Sequence, residues 1–185
     1  MTSSLLLRPS TTVIATARDL SHETSKSLSS LPTAEGSKLI LIPFDANRPV
    51  ITQEQLSGVS HIDVVISNAG NSSGGFTETA LTVTAEALHD DFQVNAVAPI
   101  MLFQACWPLL AKSSDPKYVL ITSTLGSIKI LGMEAMPGVT YGASKAAANW
   151  LVKKMSAEMK DKGLNVGIIH PGYVNIVSLH AKVPP

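Results

Sequence analysis

The chain has 185 residues, 45% of them hydrophobic and 15% charged, with 14 Lys and Arg against 14 Asp and Glu for a net charge of zero. Length and composition describe one folded domain, residues 1–185, with a sizeable core, and the charge balance argues against nucleic acid or an acidic membrane surface as a partner held by bulk attraction. A single cysteine, Cys106, cannot form an internal disulfide, and the five histidines are scattered without zinc-ligand spacing.

The apolar run Leu5–Leu7 is too short for a signal-peptide core or a membrane span, so the cytosol is the expected location. Thr11–Thr16 is β-branched and apolar and predicts a buried strand, followed by Ala17, Arg18 and Asp19. Leu20–Leu31 has roughly helical spacing and stops at Pro32. Lys38–Pro43 predicts a second strand, closed by Phe44 and Asp45, and Thr52–Ser57 a short helix. Ile62–Ser67 predicts a third strand that runs into Asn68-Ala69-Gly70, with a loop over Asn71–Gly75. From Thr84 to Leu110 apolar residues fall at Leu88, Phe92, Ala96, Ile100 and Phe103, which is helical spacing, with Pro99 as a kink and Pro108 near the end. Tyr118–Thr122 predicts a fourth strand, Tyr141–Lys160 a long helix, and Asn165–Ile169 a fifth strand ended by Pro171-Gly172.

Strands and helices alternate, and the strands are mostly continuous apolar runs. Both properties point to an α/β protein with a parallel sheet covered by helices on both faces. Ligands of such sheets bind outside the carboxyl ends of the strands. Arg18, Asp45, Asn68, Ala69, Gly70, Ser123, Pro171 and Gly172 then share one rim. Next to it, Tyr141 and Lys145 stand four residues apart on one helix, so phenol and ammonium share a face. A neighbouring ammonium favours the phenolate and is expected to lower the tyrosine pKa toward working pH, fitting it for proton transfer. The same spacing alone also occurs on ordinary surface helices.

Taken together, these residues resemble the short-chain dehydrogenase/reductase family over Thr11 to about Ile176. Asn68-Ala69-Gly70 matches its N-A-G turn, Asn95 its helix asparagine, Ser123 its strand-end serine, Tyr141 and Lys145 its Y-x-x-x-K pair, and Pro171-Gly172-Tyr173-Val174 its P-G-x-V segment. Within the family, Leu102–Ala105 and Tyr141–Asn149 are similar to the fungal norsolorinic acid ketoreductase branch of small carbonyl reductases. The resemblance implies a Rossmann-like doubly wound sheet and reduction of a small-molecule ketone, of the aromatic polyketide or secondary-metabolite kind. It implies Tyr141 as proton donor, Ser123 bonding the carbonyl oxygen, Lys145 holding the nicotinamide ribose and Asn95 holding a relay water. Thr122, Thr124 and Ser127 rival Ser123, and Asn95 is also a reasonable helix-packing amide. Around the cofactor it implies Asn68, Ala69, Gly70, Pro171, Gly172 and Val174, with Asp45 at the adenine. Where NAD enzymes carry an acid, this chain has Thr16-Ala17 followed by Arg18, which favours NADP(H) over NAD(H), with Asp19 as the dissenting residue. The resemblance further implies homo-oligomers built on the two long helices.

The chain departs from the family in three places. The family's first strand and glycine-rich turn have no counterpart, since the first glycine is Gly36 and Ser3–Leu7 reads as the last turn of the helix that follows those glycines. The family's C-terminal strand is also unmatched, and Ile176 stands where a threonine is usual. Without the first strand, Ile14, Val64 and Ile66 are expected to lose neighbours. Missing phosphate contacts should weaken dinucleotide binding. Two readings besides a reductase therefore stay open: an isomerase, cyclase or dehydratase working without cofactor, and a non-catalytic partner of a longer relative.

Overall fold

A computed structural model describes residues 1–131 and 138–172. Among them are five parallel strands, divided into two sheets. β1 (Thr12–Ala17) pairs with β2 (Lys38–Pro43), and β3 (Val64–Ser67), β4 (Lys117–Ile121) and β5 (Asn165–Ile169) pair in the order β3–β4–β5. Parallel pairing needs a crossover between strands, which the intervening helices supply. They are α2 (Glu23–Lys26), α3 (Ala85–Phe92), α4 (Ala98–Leu110), α5 (Ile128–Leu131) and α6 (Val139–Glu158), while α1 (Thr2–Leu6) precedes β1. The fold is thus the Rossmann-like α/β class expected from the sequence, with the sheet interrupted once.

The interruption lies between β1 and β3, which share no backbone ladder. A cavity of about 160 Å³ occupies the place, lined by Thr16, Phe44, Ile66, Ser67, Asn68, Ala69, Val94, Ala98, Pro99 and Leu102. Ile14 and Ile66 are half-buried and Val64 is exposed, as the unmatched first strand implies. The expectation of strands buried on both faces holds only in part, because Ile168 and Ile169 of β5 are exposed as well.

One helix spans the break. α3, a π-helical turn over Gln93–Val97, and α4 run on without interruption. Phe103, Cys106 and Leu110 pack with Val65, Tyr118 and Leu120 of the larger sheet and with Ala148, Val152 and Met155 of α6. Val94 and Ala98 pack with Phe44 and Ala46, and Leu109 with Ile42 and Leu56, on the smaller sheet. A fully buried large apolar side chain contributes about 1.5–3 kcal/mol, so this shared burial is the main term holding the sheets together. By length and composition the helix could also cross a membrane, yet half of its most apolar window is buried inside the protein, as in a core helix. Burial pushes the Cys106 thiol up to about 11, so it packs as an apolar group.

Other differences from the sequence reading have local causes. Leu20–Leu31 is not one helix: α2 is a single turn and a 3₁₀ turn covers Ser27–Ser30. Its serines bond back to the chain, Ser27 Oγ to Thr24 O at 2.9 Å and Ser30 Oγ to Ser27 O at 3.1 Å, which competes with helix propagation. The helix at Thr52–Ser57 shortens to a 3₁₀ turn over Glu54–Leu56. The kink expected at Pro99 takes the form of the π turn just before it. Pro99 has no N–H for the Asn95 carbonyl four residues earlier, which gives the helix a reason to widen there.

Candidate active site

β4 delivers the first group. Beyond Ile121, Thr122 is buried and its hydroxyl donates to Asn149 Oδ1 at 2.6 Å, which removes it as a rival to Ser123. Ser123 caps the 3₁₀ turn Thr124–Gly126, its Oγ accepting from Leu125 N–H at 3.2 Å. That turn lies directly on α6. A Cβ on Gly126 would sit 2.8 Å from the backbone carbonyl carbon of Lys145, and one on Gly142 3.1 Å from Leu125 O. The two glycines therefore allow a close approach that sets the Ser123 hydroxyl beside the Tyr141 phenol.

Lys145 is 3% exposed, donates from Nζ to Ile121 O at 3.1 Å, and lies 5.5 Å from the Tyr141 ring centroid. Its ammonium is thus bonded to the strand-end carbonyl and lies over the ring. The expected lowering of the tyrosine pKa by Lys145 is not found. Burial pushes the Tyr141 phenol above its ordinary value, the Ser123 hydroxyl pulls it partway back, and the Asp91 carboxylate raises it further. Burial pushes the Lys145 ammonium down, against an opposing pull from Asp91.

Asn95 sits in the π turn with no exposure to solvent. Its Oδ1 accepts from Asn71 N–H at 2.9 Å, and its Nδ2 donates to Asn71 O and to Ser144 Oγ, each at 2.8 Å. Both amide hydrogens are taken, so a relay water has only the oxygens of Asn95 to bond. The side chain itself ties the loop after β3 to α6. Asp91, four residues earlier on the same helical face, accepts from Ser73 N–H through Oδ1 at 2.7 Å and is fully buried, its Oδ2 lacking a partner among the described residues. Sequence reasoning missed Asp91, although its i−4 spacing from Asn95 pointed to it. It also missed Phe76, whose ring meets Tyr141 edge-on with centroids 5.8 Å apart, and Glu78, because their loop has no periodicity to read.

The remaining predicted residues divide by place. Asn68, Ala69 and Gly70 follow β3 on the same rim, and a Cβ on Gly70 would lie 3.3 Å from Asn95 Oδ1 and 3.5 Å from Lys145 Nζ. This glycine floor against Asn95 and Lys145 suits the close approach of a flat ring, so the residues present fit the nicotinamide end of a dinucleotide. Pro171 and Gly172, with a positive φ of 81° at the glycine, stand exposed beyond β5, while Val174 and Ile176 lie outside the described residues. Arg18 follows β1, exposed and without a hydrogen bond or ion pair among the described residues. Asp45 follows the neighbouring β2, its Oδ1 accepting from Asn47 N–H at 3.0 Å and so holding its own turn. Asp19 binds Ser21 N–H and Oγ, and those bonds hold its carboxyl below the usual range. No glycine-rich turn faces the middle of this rim among the described residues, so the pyrophosphate end is not matched. A groove of about 650 Å³ along Asn149, Trp150, Lys153, Lys154, Ala157 and Ile168 is lined by none of Ser123, Tyr141 and Lys145.

A parallel α/β sheet with serine, tyrosine and lysine gathered at its carboxyl rim is the architecture of a dinucleotide-dependent oxidoreductase. The chain belongs to the short chain dehydrogenase family, whose model matches residues 2–184. It is 34% identical over 176 residues to the short-chain dehydrogenase srdF of Neurospora crassa, covering 91% of this chain and 68% of that one. It is 37% identical over 183 residues to the norsolorinic acid ketoreductase nor1 of Dothistroma septosporum, covering 94% and 66%. Among solved structures, the NADPH-bound carbonyl reductase from chicken fatty liver is similar at 28% identity and a TM-score of 0.75, covering 88% and 68%. The chain thus spans about two thirds of the length of these relatives.

Proposed function

We propose that this chain carries the catalytic half of an NADP(H)-dependent ketoreductase acting on aromatic ketones of secondary metabolism. The observation that carries the reading is the convergence of Ser123, Tyr141 and Lys145 beside the Gly70 floor. A bound nicotinamide supplies hydride to the carbonyl carbon. Tyr141 Oη gives its proton to the carbonyl oxygen as charge develops there, and the Ser123 hydroxyl donates a hydrogen bond to the same atom. Lys145, whose Nζ approaches the Gly70 floor, would bond the nicotinamide ribose. With the carbonyl oxygen protonated the product is the alcohol, and Tyr141 regains its proton from solvent. The exposed Arg18 supports NADPH over NADH, since a guanidinium pairs with a 2′-phosphate.

The test mixes the purified chain with NADPH or NADH and an aromatic ketone and follows loss of nicotinamide absorbance. Turnover faster with NADPH is expected; none, with a longer relative active in parallel, overturns the reading. Phe76, half-exposed beside Tyr141, supports an aromatic substrate. Phe76→Ala is expected to raise KM for an aromatic ketone roughly three- to tenfold, the scale of one aromatic contact, while leaving a small aliphatic ketone nearly unaffected. Equal effects on both would remove the aromatic preference.

A further inference from the structure

α6, the helix that carries Tyr141 and Lys145, starts without a cap of its own. Its N-cap is Gly138, which has no side chain to accept from the first-turn N–H groups and sits at a φ of 106°. Unsatisfied N–H groups at a helix start favour an acceptor, and a negative one best. The acceptor here comes from 62 residues earlier. Glu78 Oε1 accepts from Thr140 N–H at 3.1 Å and from Thr140 Oγ1 at 2.8 Å. Glu78 is nine-tenths buried, and its other oxygen has no partner among the described residues. Burial raises its carboxyl, but the bonds from Thr140 outweigh this and hold it below its ordinary value, so it is an anion. Nothing in the proposed chemistry uses it.

The loop that presents Glu78 is also fastened at its start. Asn71 is tied to Asn95, and Ser73 N–H to Asp91, on the helix that spans the two sheets. Gly74 passes over the Glu78 carboxylate so closely that a Cβ would lie 2.8 Å from Cδ. Phe76, two residues before Glu78, rests on Tyr141 and against the Gly138 turn, where a Cβ would meet its Cδ1 at 3.0 Å. The loop is therefore a strap from α3 to the first turn of α6, and Tyr141 is the residue next to the one it grips.

We propose that Glu78 is a positioning residue: by capping α6 from the strap it fixes Tyr141 in register with Ser123. This deepens the ketoreductase reading and rests on it for its catalytic consequence, while the geometry can be tested without turnover. A glutamine at this position keeps the acceptor oxygen and an alanine does not. Three measurements are made on Glu78→Gln, Glu78→Ala and Thr140→Val: kcat and KM, amide exchange along α6, and the ring carbon resonance of Tyr141, assigned through Tyr141→Phe. Glu78→Ala is expected to lower kcat about tenfold with KM for cofactor changed less than about twofold, and to speed Thr140 and Tyr141 amide exchange by about tenfold, the effect of losing one cap. Its Tyr141 resonance shifts. Glu78→Gln restores all three. Thr140→Val, which keeps the N–H bond and loses the hydroxyl, falls between and serves if the alanine variant does not fold.

The proposal is overturned if Glu78→Ala lowers thermal stability alone, with kcat, local exchange and the Tyr141 resonance unchanged, or if glutamine fails to rescue. If the wild-type chain reduces no ketone, the ketoreductase reading fails separately, and exchange and resonance still decide whether Glu78 sets Tyr141.

Discussion

Tyr141→Phe is expected to lower kcat for ketone reduction by about 10²–10⁴-fold, the range for losing a positioned general acid. The change removes one oxygen and little else. The ring keeps its edge contact with Phe76 and its place before the Lys145 ammonium, and the hydroxyl's neighbour, Ser123, retains its bond from Leu125 N–H. The melting temperature should therefore stay close to that of the parent, which separates loss of a proton donor from loss of fold. Steady-state kinetics with calorimetry on the same preparation check both halves. A variant retaining more than about a tenth of the parent kcat would mean that another group, or water, protonates the product oxygen.

Asn95→Ala is expected to be the most damaging single change to stability, about 2–4 kcal/mol, because it strands several groups at once. The amide holds both the N–H and the C=O of Asn71 and the Ser144 hydroxyl, and the Asn95 side chain is itself fully buried. Alanine leaves the Asn71 groups without those partners and opens a void beside the π turn. For a chain of this size the loss corresponds to a fall of about 5–15 °C in melting temperature. Activity should fall as well, since the loop that carries Phe76 and Glu78 is tied here. Urea titration gives the free energy directly. A loss below about 1 kcal/mol would show that the strap is held by Asp91 and Glu78 without Asn95.

Much of the fold was legible because it is written locally. Val, Ile and Leu runs at 38–43 and 165–169 become strands at those positions, and the apolar period through 84–110 becomes one long helix. The interrupted sheet also followed, because no segment of these 185 residues matches the family's first strand. Serine-rich 23–30 misled because hydroxyls that bond to the backbone leave the apolar spacing intact while weakening the helix. Around the site, the Tyr–Lys spacing, the N-A-G turn and Ser123 were readable as motifs. Glu78 and Phe76 were not, since a loop residue that acts across 62 positions leaves no periodic trace.

By itself, then, the sequence determined where the strands and the two long helices lie, that the strands run parallel, and which chemical groups stand at their carboxyl ends. Those properties depend on side-chain shape and periodicity within a few residues. Only the tertiary structure decided how the groups behave. The Tyr141 phenol is raised and not lowered, because burial and the Asp91 carboxylate outweigh proximity to Lys145 along the helix. Asn95 is a tie and not a free amide, because Asn71 and Ser144 reach it first. And α6 is capped by Glu78, because a helix that begins at glycine must take its acceptor from wherever the fold brings one.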